Sequence, residues 1–332
     1  MARFNRLPVL WLVALGLAGW MLSQTPFAAA EQALRGLDPG QWLVWLAVNA
    51  GIALAGASRW HLFTRRLGVP VTLHQLLKIR QAGQAVSFLT PGPQFGGEPL
   101  QVYWLHRRYR APLPAALLAL GLDRLYEFAV NLLLLAAGVF LLARSPLAAI
   151  ADWQAVGVGL IGALLSIAVA GRFLLGKPGR FTQALQSLFR RWRRHSVPRA
   201  VTGADHDPAW DWRTLLGQRR IMVQALLWSL LGWAALLAEL WLLLDWVHAP
   251  QGVWNFLLVL VAMRLAFLLP LPGGVGSLEM AMFWVFQYLH AAPGAALALI
   301  ALMRVRDAVF VAAGLGCMAW LGGWRAAKSG QA

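Results

Sequence analysis

Ten charged residues stand inside stretches that are otherwise apolar: Glu98, Asp123, Arg124, Glu127, Glu239, Arg264, Glu279, Arg304, Arg306 and Asp307. Arginines in such surroundings can grip a phosphate, and carboxylates can meet a cationic group or carry a proton. At membrane depth an unpaired group of this kind costs about 2.5 to 3.5 kcal/mol, so ten would cost on the order of 25 kcal/mol. A fold is stabilised by only about 5 to 15 kcal/mol. The ten must therefore be paired, hydrated or both.

Helical spacing supplies some partners. Arg124 reaches Glu127 and Arg304 reaches Asp307 at i+3, while Asp123 shares a face with Glu127 at i+4. Arg304 and Arg306 point roughly 200° apart, so one helix face cannot hold both. Glu98, Glu279 and Arg264 have no close partner in sequence, and pairing across the two halves of the chain is the expected source of one. Two readings follow: buried ion pairs that fix the register of a bundle, or the lining of a polar cavity at mid-membrane.

Two of the carboxylates follow matching Gly/Pro segments. Thr90-Pro91-Gly92-Pro93-Gln94-Phe95-Gly96-Gly97-Glu98 is echoed by Leu271-Pro272-Gly273-Gly274-Val275-Gly276-Ser277-Leu278-Glu279. Arg124 lies 26 residues beyond Glu98, and Arg306 lies 27 beyond Glu279. Irregular backbone cannot face lipid, because each unpaired amide there costs several kcal/mol; it persists only inside protein or beside a water-filled cavity. Paired Gly/Pro interruptions in two halves point to a transporter's substrate site. The candidate re-entrant backbone is Pro91, Gly92, Gly96 and Gly97 in one half and Pro272, Gly273, Gly274 and Gly276 in the other. The plainer alternative is two sharp turns between ordinary spans.

The elements that would position these residues are apolar helices. The chain has 332 residues, 59% hydrophobic and 13% charged, with mean hydropathy +0.60. A soluble domain carries about 25% charged residues. Apolar runs close to the ~20 residues needed to cross a bilayer recur throughout: 41–57, 112–143, 153–175, 221–247, 253–269 and 295–321. Residues 71–90, with Lys78 and Arg80, are too polar to face lipid all round. Met1 to Ala30 reads as an uncleaved first span with Trp11 and Trp20 as interfacial anchors, or as a signal peptide ending at Phe27-Ala28-Ala29-Ala30.

The formal net charge is +16. The arginines gather between apolar runs, as in cytoplasmic loops, so no nucleic-acid partner is expected. The most basic stretch, 177–220, contains an apolar stripe of Phe181, Ala184, Leu185, Leu188, Phe189 and Trp192, which reads as a helix on the anionic inner leaflet or packed beneath the bundle. Arg325 and Lys328 place the C-terminus inside, and the N-terminus is expected there too. The expected architecture is an all-α polytopic transmembrane bundle, a single membrane domain over 1–332. Its two pseudo-symmetric halves, 1–176 and 221–325, form an inverted repeat with two re-entrant segments.

Other chemistries find no support. Gly171 to Lys177 fits the first seven places of a phosphate-binding loop, but Pro178 stands where a Ser or Thr must meet magnesium. The seven histidines form no zinc spacing, Cys317 is the sole cysteine, and no Gly-x-Ser-x-Gly elbow occurs. No metal or other cofactor is expected.

The same residues resemble the transmembrane, flippase-like region of the lysylphosphatidylglycerol synthase family. The matches are Pro91-Gly92 with Gly96-Gly97-Glu98-Pro99, Leu122-Asp123-Arg124-Leu125 with Glu127, Leu269-Pro270-Leu271-Pro272-Gly273-Gly274-Val275-Gly276 with Glu279, and Arg304-Val305-Arg306-Asp307. Family members often carry a basic residue three places after the first Glu, where this chain has Gln101. The resemblance implies pseudo-symmetric halves with re-entrant segments that move a lipid headgroup between leaflets. Bifunctional members add a soluble aminoacyl-transferase domain, which is not expected here, and neither is lysyl transfer.

The expectation is therefore a lipid translocase of the bacterial inner membrane, not an enzyme. Glu98, Asp123, Arg124, Glu127, Arg264, Glu279, Arg304, Arg306 and Asp307 are its candidate headgroup-binding residues. Glu98 and Glu279 are expected at two hairpin tips that meet near the midplane. The partners would be membrane lipids with an anionic or phosphate-containing headgroup, and a second copy or a partner synthase. The alternatives are a membrane-embedded lipid-modifying transferase and a partner subunit of a lipid synthase.

Overall fold

A computed structural model describes residues 31, 35–90, 96–176, 218–269 and 271–329, and the described residues contain no strand. The expected first span within 1–30, the stripe within 177–217, and Pro91 and Gly92 lie outside them. Helix α1, Pro39–Arg66, starts at a reciprocal cap: the Gln41 amide donates to Asp38, and the Asp38 amide donates to the Gln41 side chain. Thr72 and Gln75 repeat the device ahead of α2, Leu73–Leu89. Helix α3, Glu98–Arg108, opens with Glu98-Pro99 and closes with His106, Arg107 and Arg108, each end charged to suit the helix dipole. The long α4, Leu113–Ala143, follows, then α5, Trp153–Gly176. After the basic stretch come α6, Arg219–Trp246, α7, Val253–Ala266, α8, Ser277–Tyr288, and α9, Pro293–Ser329.

Helices α1, α4 and α6 are each long and apolar enough to cross a membrane, and 28 residues of α-helix rise about 42 Å. Leucines such as Leu43, Leu133 and Leu227 stay exposed on their outer faces, as a lipid solvent requires. One boundary differs from expectation. The span over 41–57 continues to Arg66, so Arg59, beyond the apolar run, sits inside the bundle, 5% exposed.

The helix lengths recur. The succession of 28, 17, 11 and 31 residues in α1–α4 returns as 28, 14, 12 and 37 in α6–α9, with the Gly/Pro break between the second and third helix each time. Packing relations recur as well. Helix α2 lies on α9 and α7 on α4; α3 lies on α2 and α4, and α8 on α7 and α9; α4 touches α1, and α9 touches α6. Helices α1 and α6, first in each set, pack on one another and run antiparallel: Asn49 meets Glu239, Ala55 lies against Gly232, and Arg59 reaches Ser229.

Two apolar cores result. One gathers Leu132 to Leu142 of α4 with α7, α8 and the first turns of α9; the other gathers Trp60 and Phe63 of α1 with α2, α3 and the start of α4. Along α4 the chain leaves one core at Leu122 and enters the other at Leu132, and along α9 it leaves one at Met303 and enters the other at Leu321. Asp123, Arg124, Glu127, Arg304, Arg306 and Asp307 fall in those gaps. The charged residues are thus the seam between two greasy cores.

Candidate functional site

The charges assemble into two networks. In the first, Arg59 of α1 donates to Asp123 at 2.8 Å and to Glu127 at 3.0 Å. Arg80 of α2 donates to the same two carboxylates at 2.7 and 3.0 Å. Two planar guanidinium forks thereby clamp the pair that i+4 spacing puts on one face of α4. Gly56 makes room for this, since a Cβ there would press on the Arg80 guanidinium at 3.0 Å. Arg124 adds a bond to Glu127 at 3.0 Å and stands 3.4 Å from Glu98.

In the second network Arg304 donates to Glu279 through two nitrogens, at 2.9 and 2.6 Å. It also donates to the carbonyls of Gly273 at 2.8 Å and Gly274 at 3.3 Å. Asp307 lies 3.5 Å from Arg304 and 3.0 Å from Arg306. Arg306 turns the other way and donates to Glu239 at 3.0 Å, as its opposite helical direction requires. Glu239 accepts in addition from the Trp45 indole and the Asn49 amide of α1, each at 3.0 Å.

The two breaks are built alike. The Gly96 amide donates to Glu98 at 2.8 Å, and the Gly276 amide donates to Glu279 at 2.7 Å. The other oxygen of each carboxylate faces an arginine of the following long helix, Arg124 or Arg304. Gly96, Gly273, Gly274 and Gly276 all adopt positive φ, a backbone region closed to most side chains. Gly97 packs directly on the Gly83 carbonyl of α2, and any Cβ at position 97 would collide with it. Pro272–Gly274 forms a single 3-10 turn that touches α2.

This geometry corrects three expectations. Glu98 and Glu279 are not paired across the halves; each finds its arginine within its own half. The spatial counterpart of Arg124 is Arg304, not Arg306, although Arg306 matches it in spacing. The charges form two networks at two depths rather than one pocket: Asn49 and Arg59 are ten residues apart on α1, as are Ser229 and Glu239 on α6, about 15 Å of helical rise.

Burial separates roles. Asp123, Arg59, Arg80, Glu239, Arg304 and Asp307 are buried, whereas the side chains of Glu127, Glu98, Arg306, Glu279 and Arg124 keep 38, 21, 19, 19 and 16% of their surface open. Arg264 is half-buried, and it differs from the other nine charges in having no ion pair among the described residues. Its guanidinium lies 4.6 Å from the centre of the Trp233 ring, its Nε has no hydrogen-bond partner, and it stands within electrostatic reach of Arg306, Glu239 and Glu127. It therefore feels both networks. Gln101 is fully buried against Arg80 and Gly83.

Sequence reasoning left Arg59 and Arg80 out of the candidate set. Charge balance held the clue: Glu98, Asp123 and Glu127 are three carboxylates against Arg124 alone, which calls for two more cations. Their sequence separations of 64 and 43 residues from Asp123 hid the partners.

A bundle of apolar helices with paired charge networks at its seam defines a polytopic membrane protein. Residues 9–314 match the family described as the lysylphosphatidylglycerol synthase TM region, and the chain belongs to that family. It is also 25% identical over 285 residues to a UPF0104 membrane protein of Methanothermobacter thermautotrophicus, covering 83% of each chain. No solved structure matches.

Proposed function

We propose that the protein is a lipid translocase that passes a phosphate-bearing headgroup between leaflets while the acyl tails stay in the hydrocarbon. The observation that carries this reading is Arg264, a half-buried cation with no ion-pair partner among the described residues, within electrostatic reach of a balanced network and of one that has a carboxylate in excess. A free guanidinium edge in a low-dielectric site is an anion receptor, and the Trp233 face steadies it without consuming its donors. Each network holds three carboxylates and, counting Arg264 with the second, three arginines, so a headgroup entering at Arg264 adds to a balanced field.

In this reading α1–α4 and α6–α9 are inverted repeats, and the two Gly/Pro breaks are re-entrant tips. Antiparallel packing of α1 on α6 and the exchange of helix contacts between the sets support it. The partly open Glu98, Arg124 and Glu127 form one station and Glu279 and Arg306 the other, with Arg264 between them. Asp123, Arg304 and Asp307 hold these groups in place. Rocking of one set against the other about α1 and α6 alternates access, and the drive is a lipid gradient or a proton on one of the open carboxylates. The setting proposed is the bacterial inner membrane with both termini cytoplasmic, and a second copy or a synthase as partner.

The test is translocation of a labelled phosphatidylglycerol in proteoliposomes. The wild type is expected to exceed protein-free vesicles, and Arg264→Gln to fall at least tenfold, at about 1.4 kcal/mol per factor of ten for one charge-assisted contact. A wild type no faster than empty vesicles, or an unimpaired Arg264→Gln, sinks the proposal. Glu98→Gln and Glu279→Gln should each slow transport; wild-type rates from both would remove them from the mechanism.

A further inference from the structure

A second feature opens beside the first charge network, where the C-terminal turns of α1 face the first turns of α6. The two helices diverge there around a groove of about 900 Å³. Its cationic side is Arg65 and Arg66, with His61 beside them; its apolar side is Leu227, Trp228 and Leu231. Among the described residues that line it there is no carboxylate. Arg65 and Arg66 are exposed, and so are Leu227 and Leu231, at 59 and 54%.

The order of these groups matters. From buried Ser58 to Arg66 the wall of α1 rises eight residues, about 12 Å, from apolar depth to a doubly cationic rim. Because α6 runs antiparallel, Leu231 stands at the deep end and Gln224 at the rim. A soluble anion would use the rim and leave the apolar wall bare. An amphiphile with an anionic head and a hydrocarbon tail satisfies both at once, and basic clefts between helix ends at a charged leaflet take such headgroups.

We infer that this groove is a binding site for an anionic phospholipid of the inner leaflet, its phosphate against Arg65, Arg66 and His61 and one acyl chain along Leu227 and Leu231. Trp228, amphipathic and half-buried, lies at the level where head passes into tail. The site is separate from Arg264 and holds whether or not the protein moves lipid.

The experiment uses the full chain in nanodiscs with a photoactivatable phosphatidylglycerol, the photogroup on the acyl chain, and maps the labelled peptides. Label is expected on the segments around Leu62 and Leu227–Leu231. At about fivefold per basic side chain beside an anionic lipid, Arg65→Gln with Arg66→Gln should reduce it roughly 20- to 30-fold, while Arg107→Gln, outside the groove, should leave it unchanged. Equal labelling by photoactivatable phosphatidylcholine, label unaltered by the double substitution, or displacement by soluble glycerol phosphate would each overturn the assignment. Size-exclusion profiles of the variants show whether the bundle is intact, and Arg264→Gln, which bears on translocation alone, should label as the wild type does.

Discussion

Arg304 and Arg264 show how one residue type takes two roles in one bundle. Arg304 is 1% exposed and directs its guanidinium at Glu279, Asp307 and two backbone carbonyls, so it completes the break rather than awaiting a ligand. Arg264 has a ring beneath it and an unpaired Nε. Asp123 is fully buried between Arg59 and Arg80. Asp123→Asn leaves two buried cations short of a counter-charge, and removing one partner of a buried pair costs about 3 to 5 kcal/mol. The expected result is a marked fall in the melting temperature of the detergent-solubilised protein, with much of the variant aggregated. Arg264→Gln breaks no ion pair but takes a guanidinium off the Trp233 face, so its melt should show a cost of only about 0.5 to 1 kcal/mol. A large loss of stability there would show that Arg264 is structural.

At the scale of elements, the Gly/Pro breaks decide how each short helix meets its neighbours. Their place was legible in the sequence, because glycine runs followed by a single acid are rare inside apolar stretches. The partner of each acid was not legible, since the arginine that answers Glu279 lies 25 residues on and competes with Arg306 two positions further. Gly276 isolates the backbone effect: no atom lies within 4 Å of where a Cβ would stand, yet its φ is 87°. Gly276→Ala is therefore expected to cost about 1 to 3 kcal/mol through strain alone. Gly83→Ala acts differently, by driving a methyl into Gln101 and prising α3 from α2. Overpacking of that kind also costs about 1 to 3 kcal/mol. A Gln101→Ala partner substitution should recover part of the Gly83→Ala loss and none of the Gly276→Ala loss, as read by thermal melts of the double variants.

For the whole molecule, the contact of α1 with α6 is the joint between the two sets of helices. An added Cβ at Gly232 would stand 3.4 Å from that of Ala55, close to the separation a disulfide spans. With Cys317→Ser removing the native thiol, Ala55→Cys combined with Gly232→Cys should oxidise to an intramolecular bridge, detected as lost reactivity toward a maleimide polymer. Under the rocking model that bridge should abolish translocation, and reduction should restore it. Transport that continues through the bridged joint would place the motion elsewhere.

The sequence by itself determined the solvent and the class of structure. A chain 59% hydrophobic with recurring spans near the ~20 residues that cross a bilayer has to fold as membrane helices, because only closed hydrogen-bonding survives in lipid. It also determined that the buried charges would be paired, hydrated or both, since their combined desolvation exceeds the typical stability of a fold. Which charges pair was decided only by tertiary structure. Asp123 meets Arg59 and Arg80 because three helices converge on one point, and Arg264 is left alone because none of its neighbours turns a carboxylate onto it. Spacing along a helix specifies a direction, whereas a partner requires a second helix at the right height, and that height is set by how the two apolar cores pack.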